Sequence, residues 1–150
     1  MKQFEFVDKK KMTFKKLAYS DWTNCFVFGS QALKSGVHYW EIKVDKTQGL
    51  DGCYFGVTKD KSISYYTSDM CCGGSGGKYN CQGSDIYAAQ GDRLGVKLDF
   101  KKLKATWYKN GSPAGVTASL LKGQSYTPVI HVYYQNDQFT LDFPKKIPKD

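Results

Sequence analysis

The sequence predicts an all-β sandwich, and three observations lead there. Apolar residues alternate with period two almost wherever they gather, short polar turns separate these runs, and the spacing of an amphipathic helix is scarce. Many short antiparallel strands without intervening helices build a sandwich or a barrel, and at 150 residues a sandwich is the expected form. Single domains cluster at roughly 100 to 150 residues. Residues 1–150 are therefore read as one domain, with a core from about residue 11 to 143 and polar, Lys-rich ends.

Taken in order, Phe14 with Leu17 and then Phe26 to Phe28 mark two short strands. Between Val37 and Val44, Trp40, Ile42 and Val44 share one face while Glu41 and Lys43 take the other. Cys53, Phe55 and Val57 repeat the pattern. Leu94, Val96, Leu98 and Phe100 alternate with Gly95, Lys97 and Asp99, and beyond a turn at Lys101-Lys102 the run continues as Leu103, Ala105 and Trp107. Asn110-Gly111 tolerates positive φ at both central positions of a type I′ hairpin. Ile130, Val132 and Tyr134 form the next run, Gln135-Asn136-Asp137 is a loop of hairpin length, and Phe139, Leu141 and Phe143 close the series. Trp40, Phe55, Val96, Leu98, Trp107, Ile130 and Leu141 are the expected core.

Residues 59–90 break the rhythm, with scraps of strand pattern only around Ile63 to Tyr66 and Ile86 to Tyr87. Such a stretch is either a functional loop or a cover for short edge strands, and both can hold at once. Its centre, Cys71 to Lys78, is Gly-rich and offers little side-chain bulk.

Twenty-two basic residues against 14 acidic ones give a net charge of +8, and every base except Arg93 is Lys. Planar bidentate reading of phosphates and bases leans on Arg, so this basicity argues only weakly for nucleic acid. The lysines crowd the start of the chain, Lys101 to Lys104 and the last residues, where charge clusters are ordinarily solvated. No apolar run reaches the roughly 20 residues of a membrane span, and Met1 to Lys11 is polar where a signal peptide would be apolar. The five cysteines cannot all pair within one chain and read as reduced thiols. The expectation is a monomer inside the cell, in cytoplasm or nucleus, with no membrane contact.

Catalytic and metal chemistry find little support. His38 and His131 both fall inside strand patterns, and His38 shares the face of Trp40, which makes it a half-buried structural histidine. No protease signature surrounds any cysteine. Cys71 and Cys72 are adjacent, a poor geometry for zinc, and no histidine is near them in sequence. Gly73 to Lys78 fails as a phosphate loop, because Cys72 stands where glycine is needed and Tyr79 where Ser or Thr is needed. No enzyme activity, cofactor or metal is expected. Asn110-Gly111-Ser112 spells a glycosylation sequon, yet turn chemistry accounts for it.

Several motifs nonetheless resemble one family. Ser35-Gly36-Val37-His38-Tyr39-Trp40-Glu41-Ile42 and Gly52-Cys53-Tyr54-Phe55-Gly56-Val57 are similar to two strands of SPRY domains, and the glycine cluster before Tyr79 sits where those domains are Gly-rich. Gly91 to Asp99, Trp107-Tyr108-Lys109-Asn110-Gly111 with Gly115-Val116, Tyr126-Thr127-Pro128-Val129, and Phe139 to Phe143 follow in the family's order. The resemblance spans about residues 11 to 143. It implies a bent sandwich of two antiparallel sheets with long loops at one end, serving as a recognition module within larger proteins such as ubiquitin ligases, RNA helicases or calcium-release channels.

Aromatic residues outside the alternation point to where recognition would occur. Tyr19 and Trp22 lie before the Phe26 strand, Tyr65-Tyr66 open the long stretch, and Tyr133-Tyr134 end a strand. Such rings either cap a sheet edge or anchor a partner. In SPRY domains that grip short extended peptides, the pocket comes from the corresponding segments. The resemblance therefore implies a protein or peptide site made of Tyr19, Asp21, Trp22, Ile63, Tyr65, Tyr66, Tyr133, Tyr134 and Gln135. Tyr134 stands where the family's Val-Trp-Gly motif has Trp, and Gln135 replaces its Gly. The competing expectation is an accessory RNA- or polyanion-binding domain that uses the lysine clusters.

Overall fold

The structure is a computed structural model that describes residues 2–10, 12–18, 25–49, 53–59, 70–74 and 77–150, with the backbone alone for 70–72 and 77–79. Among these residues the regular structure is all strand: β1 (Phe4–Phe6), β2 (Thr13–Lys16), β3 (Phe26–Phe28), β4 (Val37–Lys46), β5 (Cys53–Thr58), β6 (Met70–Gly74), β7 (Gly77–Tyr79), β8 (Arg93–Asp99), β9 (Lys104–Lys109), β10 (Ser112–Ser119), β11 (Thr127–Val132) and β12 (Gln138–Asp142). They form a seven-stranded sheet, β1-β2-β12-β4-β8-β9-β10, and a five-stranded sheet, β3-β11-β5-β6-β7. All pairings are antiparallel. The two sheets form the expected all-β sandwich, without a helix among the described residues.

Alternation places the core between the sheets. Phe55, Val96, Leu98 and Trp107 are fully buried, and Trp40 and Ile130 are 3% exposed. Trp107 also joins the layers directly, its Nε1–H donating to the Phe55 carbonyl across the core at 2.7 Å. Leu141 differs from the expectation. It packs against the core but is only half-buried, because β12 ends one residue later at the open rim of the sandwich, where Phe143 is 60% exposed.

Turn chemistry holds for the β9–β10 hairpin, whose Asn110 and Gly111 take φ of 52° and 80°. The β8–β9 turn is fixed by Asp99, whose Oδ1 accepts the N–H groups of Lys101 and Lys102, while Leu103 adopts φ of 53°. Gln135-Asn136-Asp137 is short as expected, but it carries the chain from β11 in one sheet to β12 in the other and closes no hairpin. Asn136, at φ of 69°, turns the chain at this crossover. Loop length alone does not distinguish the two connections.

The Gly-rich segment is an edge hairpin of β6 and β7. A Cβ on Gly74 would meet the Cys53 carbonyl oxygen at 2.2 Å, and one on Gly73 would meet Val116 and Trp107 at 3.2 and 3.3 Å. The glycines are there because β6 lies tight against β5 and the core. Ile86 and Tyr87 form no strand, although Ile86 plugs the core. At one edge of the seven-stranded sheet β1 adds a strand that alternation does not mark, with Phe4 edge-on to Phe14 at 6.2 Å.

Candidate peptide-binding end of the sandwich

Three connections cross between the sheets at one end: β2 to β3, β4 to β5 and β11 to β12. Register shows that they meet. Lys46, the last residue of β4, pairs with Gln138, the first of β12, while Cys53 at the start of β5 pairs with Val132 at the end of β11.

Hydrogen bonds knit these connections together. The Lys16 N–H donates to the Asp137 carbonyl and the Asn136 N–H to the Lys16 carbonyl, at 2.9 and 2.8 Å. The Val132 N–H donates to the Cys25 carbonyl at 2.8 Å, and Gln135 Nε2 donates to the Leu17 carbonyl at 2.9 Å. From the β4–β5 side, Gln48 Nε2 donates to the Gln135 carbonyl at 2.6 Å. The Gln48 N–H and the Thr47 hydroxyl both donate to the Asp137 carboxylate, at 2.8 and 3.1 Å. Asp137 is 2% exposed, and burial pushes its carboxyl up to about 6 against these donors, which favour the ionised form.

On this frame sit Tyr133 and Tyr134, both half-buried, their rings edge to face at 5.2 Å and 81°. Tyr134 lies two residues beyond the end of β11, so its ring is freed from the inward-outward alternation. Gln135, expected at the site, ties the segment after β11 to the β2–β3 connection through the Leu17 carbonyl. Tyr19, Asp21 and Trp22 lie outside the described residues, but Leu17 and Cys25 on either side of them are bonded to 132–135. Ile63, Tyr65 and Tyr66 also lie outside them. Their flanking residues, Thr58 and Met70, pair with each other, and Thr58 pairs with Thr127 at the start of β11. That point is roughly 17 Å along the strand from Val132, at about 3.4 Å per residue.

His131 is fully buried between Phe26 and Tyr54, at ring distances of 5.1 and 6.0 Å, and His38 donates its Nε2–H to the Ser35 carbonyl at 2.7 Å, beside Phe100. Burial pushes the Cys53 thiol up, away from an activated thiolate. Cys25, Cys53 and Cys81 are not in disulfides. Among the described residues no group of His, Cys, Asp and Glu is arranged to hold a metal ion, and no helix is long and apolar enough to cross a membrane.

Comparison with known proteins agrees with this architecture. The profile of the SPRY domain matches residues 37–146. The chain belongs to the SPRY domain family. Among solved structures it is similar to the SPRY domain of human HERC1, at 16% identity and a TM-score of 0.70 with 97% of each chain covered. It is similar also to the PSpry domain of TRIM65, at 18% identity and a TM-score of 0.64, covering 95% of this chain and 86% of that one. A further human SPRY domain matches at 15% identity and a TM-score of 0.66, covering 96% and 99%. SPRY domains are generally protein–protein interaction modules rather than enzymes.

Thr47, Gln48 and Asp137, which brace this SPRY domain's loop end, escape the sequence reading. An aspartate just before a strand carries no mark of being buried, and only the pairing of β4 with β12 brings Thr47 and Gln48 to it.

Proposed function

We propose that this SPRY domain binds a protein through a short extended segment that lies across the Tyr133–Tyr134 end of the sandwich, as the recognition part of a larger protein such as a ubiquitin ligase. The observation that supports this most is the pair of half-buried tyrosines on a loop frame braced from both sheets. Aromatic anchors on a prearranged surface suit peptide capture, since they supply large contact area while little ordering is left to do on binding. Trp22 and Tyr19 belong to the connection whose flanks are bonded to that frame, and they complete the proposed site with Asp21 and Gln135. Ile63, Tyr65 and Tyr66 are the proposed wall on the β5–β6 side.

The polyanion reading draws on fewer lysines than the sequence suggests. Lys16 is buried, donates to Gln3 at 2.7 Å and lies 4.8 Å over the Phe4 ring, while Lys102 is paired with Asp150 at 2.8 Å.

The test is a titration of a partner captured by pull-down, at two salt concentrations, against Tyr134→Ala, Trp22→Ala and a Lys101→Glu/Lys102→Glu double variant. The aromatic variants are expected to lose about 2 kcal/mol of binding, roughly thirtyfold, with a shallow salt dependence. A steep salt slope with wild-type affinity in folded Tyr134 and Trp22 variants favours the polyanion reading instead.

A further inference from the structure

The outer face of the seven-stranded sheet holds a second feature, apart from the loop end. Lys97 stands in the middle of β8 and faces away from the inter-sheet core, yet its side chain is only 10% exposed. A buried ammonium requires acceptors close by. Lys97 Nζ donates to the Pro148 carbonyl and to Asp150 Oδ1, each at 2.9 Å. The same carboxylate accepts from Lys102 Nζ at 2.8 Å and from the Tyr108 hydroxyl at 3.2 Å. Donors from β8, from the β8–β9 turn and from β9 thus converge on one carboxylate, and they hold it well below the usual carboxylate range.

The segment that delivers Asp150 is not built into the sheet. Residues 143–150 form no strand, and both Phe143 and Ile147 leave large parts of their side chains in solvent. It is held in the manner of a bound peptide, by a main-chain carbonyl and by a carboxylate two residues further on.

We propose that Lys97, Lys102 and Tyr108 form a docking site for an acidic residue of an extended peptide, which Asp150 occupies in cis. Residues 143–150 carry three lysines beside Asp150, so the site selects the carboxylate itself and not the overall charge of the segment. A peptide from outside must displace Asp150, so its apparent affinity is reduced by the fraction of molecules in which the site is already filled.

The test uses a fluorescein-labelled, amidated peptide with the sequence of residues 143–150, titrated by fluorescence anisotropy against the full chain and against its Asp150→Asn variant. The variant is expected to bind the peptide at least about tenfold more tightly than the wild type, because its cis competitor is weakened. Adding Lys102→Glu should reverse that gain. Lys102 is 60% exposed, so this change leaves the fold intact, which circular dichroism checks. A peptide with Asn in place of its single Asp should not bind, whereas Tyr134→Ala should leave binding unchanged. No binding to the variant, equal affinity of wild type and variant, or equal binding of the Asp and Asn peptides would overturn the proposal and leave residues 143–150 as a fixed strap.

Discussion

The two faces of the seven-stranded sheet are both buried, but by different means. Inward, Trp40, Val96, Leu98 and Trp107 are at most 3% exposed and are covered by the five-stranded sheet. One residue along the same strands, Tyr39, Glu41, Lys97, Thr106 and Tyr108 face outward and are at most 8% exposed. That outer layer is held by polar contacts. Tyr39 lies edge-on to Tyr108 at 5.6 Å and donates its hydroxyl to Glu41 at 2.8 Å, while Arg93 bridges Glu41 and Asp142 at 3.0 and 2.9 Å. Burial and the Asp150 carboxylate push the Tyr108 hydroxyl up to about 12. Period-two alternation reports which face a side chain takes, but not whether that face is dry.

The contrast predicts a graded response to mutation. Trp107→Ala removes a fully buried ring together with the bond to Phe55 and should cost about 3 to 5 kcal/mol in urea unfolding. A loss below about 1 kcal/mol would mean that the inner face does not dominate stability. On the outer face, Gly95→Ala would set a Cβ 2.5 Å from the Tyr39 hydroxyl and 2.9 Å from its ring. The ring must swing off its seat, at an expected cost of about 1 to 3 kcal/mol, measured in the same way.

Asp137 extends the comparison to a buried carboxylate at the loop end. Its folded-state value, about 6, lies above the ordinary one, so the folded protein holds that proton more firmly than the unfolded chain. The stabilisation is complete below about pH 4 and is lost as pH rises through about 6, amounting to about 1 to 2 kcal/mol after solvent screening is allowed for. Asp137→Asn should remove that part of the pH dependence, and an unchanged stability profile between pH 4 and 7 would contradict it. The smallest effect belongs to Arg93, whose pairs are partly solvated. Arg93→Met should cost about 0.5 to 1 kcal/mol and less at high salt.

Much of the sandwich is legible because one physical signal, apolar alternation, writes it into β4, β5, β8, β9, β11 and β12. The hairpin at β6 and β7 is hidden because close backbone approach removes its side chains, as Gly73 and Gly74 show. β1 is hidden because its three residues, with Glu5 between two phenylalanines, stand in the polar, Lys-rich start of the chain. At the loop end, Tyr133 and Tyr134 stand out as rings past the end of a strand, but the staple of Asp137 to Thr47 and Gln48 joins residues about 90 positions apart through a tertiary register that no local pattern encodes. The same holds for Lys97 and Asp150, which read separately as an outward strand residue and part of a solvated tail.

The proposed peptide-binding surface at the Tyr133–Tyr134 end can be tested directly without a known partner. A displayed library of random extended peptides, panned on the wild-type domain, should yield binders that share a motif. Their affinity for folded Tyr134→Ala should fall by roughly thirtyfold, and they should bind Lys101→Glu as they bind the wild type. Enriched peptides that bind Tyr134→Ala, Tyr133→Ala and Trp22→Ala as tightly as the wild type would place recognition elsewhere on the domain and contradict the account.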